Sequence, residues 1–104
     1  MAITRFTTPP ISLLVKGVDI TAADVYVTIK QGVTEINFSD AELTLTLNDT
    51  DTIVTFSLTQ EQAGSMDIRA YAGVQVNWIA GGIRYATEIA TVKIYDNLYD
   101  EVIS

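Results

Sequence analysis

The chain has 104 residues, 48% of them apolar, with thirteen acidic side chains against six basic ones and a net charge of −7. That length holds one domain with one core, and the apolar share is too high for a disordered chain. Cys and His are both absent, which excludes a disulfide framework, a thiolate zinc site and Ser–His or Cys–His catalysis.

The acidic balance repels phosphate backbones, so no nucleic-acid partner is expected. Apolar runs are short, as at Leu13-Leu14-Val15, and give no segment for membrane insertion. The start, Met-Ala-Ile-Thr-Arg-Phe, has no apolar core of a signal peptide and reads as the beginning of an intact short frame.

Residues 1–10 carry Pro9 and Pro10, which exclude a helix or central strand and predict an extended arm along a sheet edge. Ile11, Leu13 and Val15 alternate with Ser12 and Lys16 and predict the first strand. Gly17-Val18-Asp19 turns the chain. Asp24–Gln31 is a second strand, with Val25, Val27 and Ile29 inward and Tyr26, Thr28 and Lys30 outward. Thr34–Phe38 is a third, with Ile36 and Phe38 on one face.

Leu43, Leu45 and Leu47 predict a fourth strand, and Val54, Phe56 and Leu58 its partner, joined by turn chemistry at Asn48-Asp49-Thr50-Asp51. At Thr59-Gln60-Glu61-Gln62, Thr59 can cap a helix while Gln62 reaches back, with Leu58 and Ala63 as an apolar staple. Gly64 follows as terminator, so a short helical turn is predicted over 59–63.

Met66, Ile68, Ala70, Ala72, Val74, Val76 and Trp78 all fall on even positions and predict one long strand. A two-residue turn follows, best placed at Gly81-Gly82, with Ala80-Gly81 as the alternative. The first choice sets Trp78 against Tyr85 and Val76 against Thr87. Ile83, Tyr85, Thr87 and Ile89 are odd, whereas Val92 and Ile94 are even. That slip of one residue predicts a β-bulge near Ala90-Thr91.

The pattern gives an all-β fold: a single immunoglobulin-like antiparallel sandwich of about seven strands over 1–104, with a C-terminal tail at 96–104. Trp78 is expected in the core against Val25, Val27 and Ile29, which outweighs a sugar platform built with Tyr71, Tyr85 and Tyr95. Tyr71 is the outward one. Arg69 and Arg84 are expected to pair across strands with Asp67 or Glu88.

Asp49-Thr50-Asp51 lacks the further ligands of a calcium loop and reads as a hairpin turn, so no metal is expected. The missing bases and the lack of a deep cleft point away from an enzyme, and no catalytic residue or cofactor is assigned. The arm carries Ile3 and Phe6, and the tail carries Leu98, Tyr99, Val102 and Ile103. Apolar groups outside a minimal core mark candidate interaction residues. The alternative is that the arms fold back on their own sandwich.

Several stretches together resemble a known group: Ile3-Thr4-Arg5-Phe6-Thr7-Thr8-Pro9, Asp24–Gly32, Ser57-Leu58-Thr59-Gln60-Glu61-Gln62, Val74–Trp78, Ile83–Glu88 and Asp100-Glu101-Val102-Ile103. They are similar to small proteins of tailed phages and prophages of gut Firmicutes. The order of elements resembles the N-terminal domain of phage upper-baseplate proteins, which attaches receptor-binding parts to the tail. Leu-Thr-Gln-Glu is the most specific element.

The resemblance implies a non-enzymatic virion protein, made in the host cytoplasm and acting through contacts with other virion proteins or copies of itself. A neck, tail or capsid accessory role is the near alternative. A glycan- or host-surface-binding module is the further one. A structural subunit should expose an apolar patch or carry terminal arms that swap between copies, and a glycan binder should show exposed aromatics beside polar side chains in a shallow groove.

Overall fold

A computed structural model describes residues 1–104. Nine strands are present: β1 (Ala2–Thr4), β2 (Ile11–Val15), β3 (Asp24–Gln31), β4 (Thr34–Phe38), β5 (Thr44–Asn48), β6 (Asp51–Phe56), β7 (Ala72–Ala80), β8 (Ile83–Ala86) and β9 (Ala90–Tyr95). Helical structure is confined to a 3-10 turn at Asp40–Glu42 and one short helix, α1 (Gln60–Gly64). None is long and apolar enough to cross a membrane.

The strands form two sheets. One runs β1-β9-β7-β3-β4, with β8 added to β7, and the other runs β2-β6-β5. All pairs are antiparallel except β1 with β9. This order is that of an immunoglobulin-like sandwich. Strands β3, β4 and β7 take the places of C, C′ and F, while β8 and β9 together take that of G. In the second sheet β2, β6 and β5 stand for B, E and D.

The core follows from the alternation. Val25, Val27 and Ile29 of β3 face Trp78, Val76 and Val74 of β7 in register, and all six are buried. The opposite sheet contributes Leu13, Val15, Val54 and Phe56. The Phe38 and Phe56 rings meet across the layers at 4.9 Å. Each fully buried side chain of this size stabilises the fold by roughly 1.5–3 kcal/mol relative to exposure. Trp78 lies where the sequence predicts, beside Val25, and stacks on Tyr85 at 5.7 Å.

A polar group also sits in this core. Thr52 is fully buried; its hydroxyl donates to Val18 O and accepts from Ile20 N, tying the β2–β3 loop to β6. Helix α1 forms at the predicted cap, but Gly64 belongs to its last turn and Ser65, not Gly64, is the C-cap. Gln62 N donates to Thr59 Oγ1 and Thr59 N donates to Gln62 Oε1, closing the capping box. Leu58 and Ala63 are both buried beneath it.

The long final hairpin departs from the expectation at its start. The strand begins at Ala72, not Met66. Buried Gln31 is the reason: its Nε2 donates to Asp67 O and Ala70 O, and its Oε1 accepts from Asp67 N. The amide satisfies the backbone groups that a ladder would otherwise need. Met66 remains buried, but Ile68 turns to solvent.

The turn is Gly81-Gly82, with φ of +59° and +78°, values that glycine adopts without steric cost. Trp78 then stands opposite Tyr85. Between the paired segments, Gln75 and Val76 of β7 face three residues, Thr87–Ile89, so one residue is inserted. The bulge therefore lies just before the predicted position. Thr87 occupies it, donating N–H to Val76 O and accepting from Val76 N through its hydroxyl. This break divides the last predicted strand in two, and the arm adds β1, which accounts for nine strands rather than about seven.

Candidate interaction surface

The N-terminal arm lies along the chain's own sheet edge. β1 pairs in parallel with β9, placing Ile3 beside Ile94. Ile3 is buried in the core, so this predicted interaction residue is covered by its own sandwich. Beyond β1, Arg5 turns inward. Its Nε and one terminal nitrogen donate to Gly64 O at 3.2 and 2.9 Å, and the other reaches Asp96 Oδ1 at 3.1 Å.

Phe6 adopts φ +64°, a left-handed conformation unusual for a bulky residue. Its ring packs so closely over Gly64 that a Cβ there would lie 2.7 Å from ring atoms Cδ1 and Cζ. The Arg5 guanidinium sits over the same ring, 5.2 Å from its centroid. The Arg5 and α1 contacts hold this backbone conformation in place.

The C-terminal tail returns to the same end. Asn97 Nδ2 donates to Arg5 O, and Asn97 Oδ1 accepts from Tyr99 N. Further on, Gln60 grips the backbone of Ile103, donating to its carbonyl at 2.9 Å and accepting from its N–H at 2.7 Å. The arm, α1 and the tail are thus joined through Arg5, Gly64, Gln60 and Asn97. Phe6 is half-buried within this junction, whereas Leu98, Tyr99, Val102 and Ile103 are exposed.

Of the six predicted interaction residues, Phe6 packs on Gly64 in this junction and Ile103 is held to Gln60 through its backbone, Leu98, Tyr99 and Val102 lie exposed along the same tail, and Ile3 is covered. The sequence reading missed the bracing residues Arg5, Gln60 and Asn97. Their partners lie 59, 43 and 92 positions away, beyond the reach of any local pattern.

Four ionisable groups, Asp19, Asp67, Arg69 and Asp96, are held in their charged forms by hydrogen bonds. The Asn97 N–H and then the Arg5 guanidinium lower the Asp96 pKa. The Arg69 side chain, followed by its N–H, brings Asp67 from 3.8 to about 2. Asp67 in turn raises Arg69, and the Thr21 hydroxyl lowers Asp19. Such carboxylates are acceptors rather than proton donors at neutral pH.

Arg69 pairs with Asp67 inside the loop before β7, not across strands, because the strand starts later. Arg84 donates to Asn77 Oδ1 instead of Glu88. Asp49 and Thr50 form a two-residue hairpin turn between β5 and β6, and the Asp51 carboxylate accepts from Gly17 N. Three or more carboxylates do not converge anywhere as a metal site. No protein-family model matches the chain, and no curated protein matches it.

Proposed function

We propose that the chain is a non-enzymatic structural or assembly protein of a tailed-phage virion, a tail or baseplate component working through protein–protein contacts. The terminal surface is the contact. The observation that carries this reading is the group of four exposed apolar side chains, Leu98, Tyr99, Val102 and Ile103, on a tail braced by Gln60 and Asn97. Large apolar side chains left exposed along one short segment suit a surface that a partner covers. Bracing lowers the ordering cost on association, which favours a permanent joint.

The virion assignment rests on the resemblance of segments including Ile3–Pro9, Ser57–Gln62 and Asp100–Ile103 to small proteins of tailed phages, and of the order of elements to the N-terminal domain of phage upper-baseplate proteins. Two of these segments are joined to the tail by the Arg5 and Gln60 hydrogen bonds. The test is immunogold electron microscopy of gradient-purified tailed particles from the phage or prophage that encodes the chain. Label at the tail or baseplate is the expected result. Intact particles free of the protein, with all of it left in the soluble fraction, would overturn the assignment.

A further inference from the structure

The outward face of the larger sheet, remote in role from the terminal surface, carries a shallow groove. Two concavities of about 360 and 480 Å³ share Thr28, Asn77 and Arg84 and form one trough across β3, β4, β7 and β8. Its polar side chains are held in place by their neighbours. Asn37 accepts from Thr28 and donates to Glu35. Gln75 Nε2 donates to Thr87 O, while Asn77 Oδ1 accepts from Arg84.

These bonds fix the groups without using all their capacity. Gln75 Oε1 and Asn77 Nδ2 make no hydrogen bond within the chain. The ring of Tyr26, about half exposed, stands at one end of the trough beside Ile79.

The charge of the groove runs against that of the molecule. The chain carries −7, yet Lys30 and Arg84 line the trough and Glu35 is its sole carboxylate. Neither cation has a salt bridge, since the chain's ion pairs are Arg5–Asp96 and Arg69–Asp67. Unpaired cations beside fixed amides and an aromatic face suit a ligand that is polar, flat on one side and anionic.

The geometry points to this groove as a binding site for an acidic saccharide. A pyranose ring lays its apolar C–H face on Tyr26, its hydroxyls meet Asn77 Nδ2 and Gln75 Oε1, and its carboxylate meets Arg84 with Lys30 nearby.

The test is calorimetric titration of the full chain with three acidic probes: a hyaluronan tetrasaccharide, a trigalacturonate and sialyllactose. Neutral chitotetraose and pentaglutamate serve as controls. At least one acidic saccharide is expected to bind about tenfold or more tightly than either control, with R84A weakening it by a similar factor, as loss of one charge-assisted contact entails. Tyr26→Ala should also weaken it, while deletion of Leu98–Ser104 should leave it unchanged. Failure of all three probes, equal binding of pentaglutamate, or full affinity in R84A with its fold intact would overturn the proposal. Because the tail deletion separates the two surfaces, loss of the virion reading does not affect this outcome.

Discussion

Replacing Thr52 by Val exchanges a buried hydroxyl for a methyl group of nearly the same shape. On hydrophobicity alone the change should stabilise, since it adds apolar volume at a position with no solvent exposure. The hydrogen bonds predict the reverse. The hydroxyl is the partner of Ile20 N at 3.0 Å and of Val18 O at 2.9 Å, and valine can replace neither. An unsatisfied buried backbone group costs about 1–3 kcal/mol.

The Ile20 N–H, next to a fully buried side chain, is expected to bear most of that cost, giving about 2–4 kcal/mol in total. Thr52→Ser keeps the hydroxyl and loses only a methyl group, for about 1 kcal/mol. Urea denaturation followed by Trp78 fluorescence measures both variants, with an unchanged slope indicating that stability alone has moved. If Thr52→Val is as stable as the native chain, or loses less than Thr52→Ser, the hydroxyl does not hold the β2–β3 loop and this reasoning is wrong.

Trp78→Ala should cost about 3–5 kcal/mol, the range for a large aromatic in a packed core, with some contribution from its stacking on Tyr85; a neutral result in the same denaturation assay would contradict its placement. Gly64→Ala should expel the Phe6 ring, since its Cβ would meet ring carbons at 2.7 Å, and faster proteolysis of the first eight residues would report it. Asp67 has a folded pKa of about 2 against 3.8, so its stabilisation is present above pH 3.8 and lost as pH falls toward 2. The urea midpoint of the native chain should therefore drop through that window more than that of Asp67→Asn.

Much of the fold is legible in the sequence because a half-buried sheet imposes strict alternation. Val25–Ile29 and Val74–Trp78 follow from period alone, and period with turn chemistry narrows the hairpin to two turns, of which the structure has Gly81-Gly82. The α1 cap is legible too, since it needs only residues three apart. The same logic misreads Met66–Ala70, whose even-numbered apolar residues mimic a strand. There the deciding partner is Gln31, an amide 36 positions away that captures Asp67.

The bulge is visible as a change of face, but its position depends on Thr87 replacing a ladder bond with its hydroxyl. The terminal residues are recognisable as apolar groups outside a minimal sandwich. Their separate fates are not, because Ile3 is buried by parallel pairing with β9 while Leu98 stays in solvent. The groove is also hidden from sequence, since Tyr26, Asn37, Asn77 and Arg84 come from four strands.

Deleting Met1–Thr8 would remove β1 and uncover Ile94, so it cannot separate assembly from folding. Deleting Leu98–Ser104 removes the four exposed apolar side chains and leaves Asn97 to hold Arg5 O. The decisive measurement is the number of copies of this variant incorporated per purified tailed particle, compared with the native chain at matched melting temperature. A folded variant that no longer joins particles is the predicted result. Incorporation at the native level would contradict the account and move the contact to the sheet faces or loops.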